Sequence, residues 1–311
     1  MRLSWSSQRF DETRRAMSTF VAVSVEERSQ TRAEQAIGRA FEEMDRVVTL
    51  LTRFDGGSAL AVLNDAGCLD DPPPELRVVV ERALELHRFS GGAFDPTVAP
   101  LVDLYQLHFA AHGGPPDERE RLEVLELVGA GQVNVAARAL RLGRAGMALT
   151  LDGIGKGFVV DRMIETLAAH GMRHALVNAG GDVRALGPRA CGRPWRVGVQ
   201  DPRAETLVEL IDLADAAVAT SGDYVRYHDV ERRYHHTVVP ATGRSPETIA
   251  SVSVRAASAM TADALATAAF AMGPQAGCRW LSTAARAEAL VLTRSGDRLA
   301  TSGWRGRRPG S

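Results

Sequence analysis

Asp263 and Thr267 are the residues from which the chemistry of this chain can first be read. They lie four apart in AMTADALATAAFAMG (259–273), an Ala-rich run that also holds Leu265, Phe270 and Met272 and is closed by Gly273 and Pro274. Such a run predicts a helix. It has almost no polar face, so the helix is expected to be buried nearly all round. The i, i+4 spacing puts a carboxylate and a hydroxyl on one side, a turn apart. An ionised Asp in such surroundings needs a cation, a metal or a set of donors. Two oxygen ligands so placed suit a hard cation such as Mg²⁺. The plainer alternatives are that Asp263 caps the helix or pairs with a distant Arg.

Four further segments carry glycine and polar residues where elements should end, the usual place for sites. In GGAFDPT (91–97), two glycines let the backbone approach a ligand, Phe94 offers a ring and Asp95 an acceptor. The alternative puts Phe94 in the core and Asp95 at a helix cap. In DGIGKG (152–157), three glycines and Lys156 precede a predicted helix. Free N–H groups and an ammonium there suit a phosphate. The spacing is neither GxxxxGK[ST] nor GxGxxG, so a plain turn competes. VNAGGD (177–182) is a strand running into a turn, either a hairpin or a ligand edge. In RRYHHTVVPATG (232–243), adjacent histidines on an extended segment point to opposite faces, so one faces a site and the other does not. The histidine that faces a site could take a proton from an attacking hydroxyl. A surface pair is the alternative, and no third ligand at zinc spacing follows.

The elements that must position these residues read as an irregular mixture. Strands are predicted at 17–25, 132–135, 139–142, 175–178, 195–200, 207–213, 251–255 and 289–293, with 183–186 as a possible continuation of 175–178. Helices are predicted at 31–53, 59–63, from Pro72–Pro74 onward, from the DGIGKG turn to about His170, at 259–273 and near 274–283. Such interleaving fits an α+β or mixed α/β fold, not a regular doubly wound sheet. Residues 112–122 read as a mobile surface insertion and 304–311 as a frayed tail, within a single domain over 1–311.

Composition narrows the function. The 311 residues are 45% hydrophobic and 24% charged with net charge −1, so no bulk field favours nucleic acid or an anionic membrane. Cys68, Cys191 and Cys278 are scattered and form neither a zinc pattern nor a disulfide framework. No run of about 18 apolar residues could span a bilayer. The first 17 residues hold no apolar stretch of signal-peptide type, so a cytoplasmic location is expected, with a membrane-peripheral or exported one left open.

Taken in order, eight blocks resemble the ApbE family, the FAD:protein FMN transferases: MSTF, LTRFDGGSALAVLN, GGAFDPTVAPLVDLY, DGIGKGFVVDR, ALVNAGGDVRALG, ATSGDYVRY, HHTVVPATGRSP and ADALATAAFAMG, spanning about 17–273. The resemblance implies an ApbE-like fold and a magnesium-dependent reaction. FAD is split at its pyrophosphate, FMN passes to a Thr or Ser hydroxyl of an acceptor protein, and AMP leaves. It also implies, by position, a metal held by Asp263, Thr267 and the Gly153 carbonyl. FAD would touch Met17, Phe54, Ala93, Phe94, Asp95 and the turn from Thr150 to Lys156, and His236 takes the place of the family's histidine.

Three departures from the family pattern matter. Thr150 stands where the family commonly has Asp, with Asp152 two residues on as a substitute acceptor. Val239 precedes Pro240 where an Asp is usual, and Ala266 stands where some members have another acid. Two alternative functions use the same residues: an FAD pyrophosphatase giving FMN and AMP, and a non-catalytic flavin-binding protein.

Overall fold

The computed structural model describes residues 7–310 except Val225, Arg226 and Arg232. The first six residues of the segment read for a leader, two positions of ATSGDYVRY, Arg232 of the histidine segment and Ser311 of the tail therefore lie outside the described residues. In chain order the elements are β1 (Gln8–Ala16), β2 (Thr19–Glu27), α1 (Gln30–Leu51), α2 (Ala59–Ala66), β3 (Cys68–Asp70), α3 (Pro74–Phe89), α4 (Ala99–His112), α5 (Glu118–Leu125), β4 (Val133–Ala136) and β5 (Ala139–Leu142). Then come α6 (Gly155–Ala169), β6 (Ala175–Ala179), β7 (Asp182–Leu186), β8 (Trp195–Gln200), β9 (Leu207–Leu213), β10 (Ala217–Gly222), β11 (Ile249–Ala256), α7 (Ala259–Met272), α8 (Pro274–Thr283), β12 (Glu288–Thr293) and β13 (Arg298–Ala300).

The main sheet has eight strands in the order β1-β2-β6-β7-β10-β11-β12-β13, every neighbouring pair antiparallel. A three-stranded sheet (β3-β5-β4) and the β8–β9 ribbon complete the architecture. The mixed α+β expectation holds. Helices pack on one face of the main sheet because their stripes match it. On α1, Ala33, Ile37, Ala40, Met44, Val47 and Leu51 are buried, and Ser29 caps its start by accepting from the Arg32 N–H. This core joins α1, α6 and α7 to β2, β6 and β11. The opposite face is covered by the β8–β9 ribbon, whose Trp195, Ile211 and Leu213 meet Val183, Val218 and Leu290. A third, smaller cluster joins Leu101, Val102 and Tyr105 of α4 to Val238 and Tyr234 of the histidine segment.

Several expectations change. The strand expected at 17–25 is the second arm of a hairpin, with Met17 and Ser18 as its turn at φ of 50° and 59°. The first arm was missed because QRFDETRRA carries charge on both faces, as an edge strand does. Residues 183–186 do not prolong the preceding strand. They return antiparallel to it across Gly180–Gly181, pairing Ala179 with Asp182. Within 112–122, Asp117 and Glu120 form a capping box, and buried Arg121 donates to the Thr242 carbonyl oxygen. The described part of 304–311 makes specific contacts as far as Arg307. Trp304 is buried and donates to Glu209 Oε2 at 2.6 Å, and Arg307 pairs with Leu210. Helix α4, with little amphipathic contrast, and the short strands β3 and β10 gave no readable period.

Candidate active site

Helices α6 and α7 cross at their N-terminal ends, and the crossing explains Asp263. The residue is buried, 3% exposed, and its Oδ2 accepts from the Gly157 N–H at 3.1 Å. It does not cap α7. That role falls to Ser258, which accepts from Thr261 N, and to Asp161 of α6. The Arg partner also belongs to Asp161, through Arg184 at 2.7 Å. Both plain alternatives for Asp263 are therefore taken by other residues. Close contact at the crossing requires Gly157, since a Cβ there would overlap the Ala259 carbonyl.

Thr267 lies one turn on, its hydroxyl 3.2 Å from that of Ser221 on β10. The Gly153 backbone presses against it: a Cβ on Gly153 would stand 2.8 Å from Thr267 Cγ2 and 3.0 Å from Oγ1. The chain thus brings the Gly153 turn, Asp263 and Thr267 to one place.

Two cavities open there, of about 210 Å³ and 110 Å³. The larger is lined by Met17 and Phe54, the smaller by Ala93, Phe94, Asp95, Thr150, Gly153, Asp263 and Thr267. Lys156 and His236 line both, together with Asp152 and Gly180. Met17, Phe54, Ala93, Phe94, Asp95, Thr150, Gly153, Lys156, His236, Asp263 and Thr267 therefore each border one of two adjoining cavities, whereas Gly91, Gly92 and Ile154 border neither. Phe54 is 64% exposed at the rim, its ring under the Arg53 guanidinium. Phe94 is buried, its ring edge near Gly153.

Asp95 lines the smaller cavity, but its carboxylate is engaged within the protein. Oδ1 accepts from the Thr97 N–H and hydroxyl, and Oδ2 accepts from Ala130 N and lies 3.2 Å from His87 Nδ1. Burial raises its pKa, but these bonds outweigh it and hold the group below the usual carboxylate range. Asp95 shapes the loop, as the capping alternative had it.

The two histidines divide as the extended segment required. His235 is 1% exposed, its Nε2 3.2 Å from the Pro246 carbonyl and its ring edge-on to Phe270. Burial pushes it down to about 4, so it is neutral. His236 faces the cavities.

Sequence reasoning missed Asp182, Ser221 and Asp161. Asp182 is 1% exposed at the start of β7, with Oδ2 2.5 Å from Lys156 Nζ and Oδ1 without a hydrogen-bond partner. An acid directly after Gly-Gly at a strand end was its only signal. Burial pushes Asp182 up, with Lys156 opposing. Burial and then the Asp182 carboxylate push Asp263 up to about 7, with Lys156 and the Gly157 N–H opposing. Burial pulls Lys156 down, but Asp182 and Asp263 outweigh it and keep the ammonium charged. Three carboxylates, counting exposed Asp152, thus surround one ammonium. The excess of carboxyl groups over ammonium groups and the oxygen-only donors suit a hard divalent cation. Among the described residues no group of three or more His, Cys, Asp or Glu could hold a metal ion, so a cation here would need oxygens from Thr267, the backbone, water or substrate beside any carboxylate.

Of the three departures, two leave the cavities untouched: neither Ala266, buried in the main core, nor Val239, whose backbone pairs with Arg244, lines them. Thr150 does line one, and its hydroxyl accepts from the Asp152 N–H at 3.2 Å.

Known proteins share this architecture. A structure of an ApbE protein from Thermotoga maritima superposes with TM-score 0.86 at 30% identity, covering 95% of this chain and 97% of that one. Flavin transferase ApbE from Vibrio cholerae gives 0.83 at 27% identity, covering 96% and 98%. The FAD:protein FMN transferase of Treponema pallidum is 33% identical over 278 residues, 83% of this chain and 76% of the relative. Fold and cleft together define an enzyme of the flavin-transferase class. The chain belongs to the ApbE family, whose model matches residues 17–291.

Proposed function

We propose that the chain transfers the FMN part of FAD to a Thr or Ser hydroxyl of an acceptor protein, with Mg²⁺, and releases AMP. The observation that supports this best is the shared wall: Lys156 and His236 stand where two cavities meet, beside Asp263, Thr267 and Gly153. A dinucleotide has two bulky ends and a pyrophosphate between them, and two adjoining cavities with a cation at the junction fit that shape. Asp263, Thr267 and the Gly153 carbonyl would hold Mg²⁺, which when bound neutralises charge building on the bridging oxygen.

The protein's own groups account for the rest. Lys156, kept protonated, steadies a phosphate oxygen. His236 accepts the proton of the acceptor hydroxyl as its oxygen attacks the phosphorus on the FMN side. The P–O bond to AMP breaks, and a phosphoester to the acceptor forms. Met17 and Phe54 line the larger cavity, and the Ala93–Asp95 loop with Thr150 lines the smaller.

Hydrolysis uses the same groups with water as the attacking oxygen. Incubation with FAD, Mg²⁺ and a candidate acceptor separates the readings. In-gel flavin fluorescence on the acceptor, with AMP release, supports transfer. FMN and AMP with an unlabelled acceptor indicate hydrolysis. FAD binding without AMP release indicates a binding protein.

A further inference from the structure

We propose that Asp161 is a positioning residue for the cation site: it locks α7 in register against α6 and so sets where Asp263 and Thr267 stand relative to Gly153. The inference rests on the metal reading above. Asp161 is 6% exposed and lies on α6, four residues after Gly157 and hence on the same helix face. Its Oδ1 accepts from Ala259 N at 2.8 Å and its Oδ2 from Met260 N at 2.9 Å, the first two N–H groups of α7. Arg184 of β7 donates to Oδ1 at 2.7 Å. One carboxylate thus ties three elements together.

The geometry makes this more than a cap. The proposed ligands come from two rigid bodies. Gly153 sits two residues ahead of α6, whereas Asp263 and Thr267 ride on α7. Two polar contacts fix α7 on the face of α6. One is Gly157 N–H to Asp263, itself a ligand candidate, and the other is Asp161 to the α7 terminus. Without the second, α7 can pivot about Gly157, and the ligand set opens. Residues that orient metal ligands carry about 10- to 100-fold in metal affinity.

Ser258 provides the contrast. It caps the same helix from within its own turn, and among the described residues no hydrogen bond links its side chain to α6. If Asp161 served only to stabilise α7, the two residues would behave alike.

The test is Mn²⁺ binding to the full-length protein, followed by loss of the free-ion electron paramagnetic resonance signal, beside a thermal melt. D161N is expected to weaken Mn²⁺ binding about 10-fold or more. S258A is expected to lower the melting temperature while leaving Mn²⁺ affinity within about twofold of wild type. D161E, which keeps the charge but displaces it by one methylene, is read the same way if D161N is insoluble. Wild-type affinity in D161N or D161E, or an equal loss in S258A, overturns the clamp alone. Absence of Mn²⁺ binding in the wild type, or undiminished binding in D263A, overturns the metal site and the clamp with it.

Discussion

Lys156, in the wall common to both cavities, places its Nζ 2.5 Å from Oδ2 of Asp182, an acid with almost no solvent contact. Removing one member of such a pair strands the other. Lys156→Met is expected to cost about 3 kcal/mol in urea unfolding, the lower end for a buried pair because the lysine is part-exposed. Adding Asp182→Asn should restore most of that stability but not flavin transfer, since the ammonium is still missing. A double-mutant cycle with both readouts checks this.

Gly153 is a steric prediction. Its φ is not in the left-handed region, so Ala is acceptable to the backbone, but the methyl must displace Thr267. Gly153→Ala should lower transfer about 10- to 100-fold, with a small change in melting temperature. The ratio of lost activity to lost stability is the measurement.

The neighbouring histidines should separate cleanly. His236→Asn is expected to reduce kcat about 10²- to 10⁴-fold while FAD affinity, followed by flavin fluorescence, stays near wild type. His235→Asn should reduce stability first, because it removes a ring packed on Phe270.

His235 also gives a signed pH dependence. Its folded pKa, about 4, lies below the unfolded value near 6.5. Between these values the unfolded chain binds a proton that the folded chain refuses. Stability from this residue is thus fully present above about pH 6.5 and falls as pH drops toward 4, by up to about 3 kcal/mol. His87 acts in the opposite sense, because Asp95 raises its pKa and its contribution is lost as pH rises. The measurement is therefore the difference between wild type and His235→Phe in urea melts at pH 7 and pH 4.5. The variant should show the shallower decline.

How far the sequence reached follows from what pattern can carry. Helix α1 was legible because its buried stripe recurs about once per turn, and β8 and β9 because they alternate. Strand β1 was not, since an edge strand with both faces charged has no period. Asp263 stood out as a charge inside an apolar helix. Asp161 and Asp182 did not, because each sits in an ordinary polar-and-apolar segment and is buried only by elements distant in sequence. Likewise Arg121 looked like surface within PPDERER, and only the packing of α5 beside the 240–243 turn buries it.

The central claim is that Asp263 grips a divalent cation at the junction of the two cavities and that flavin transfer runs through that site. Flavin fluorescence on a co-expressed acceptor, with wild type and Asp263→Ala compared across a magnesium titration, tests it most directly. The account predicts a covalently labelled acceptor for the wild type and none for the variant at any magnesium concentration. Labelling by the variant at the wild-type rate would contradict it.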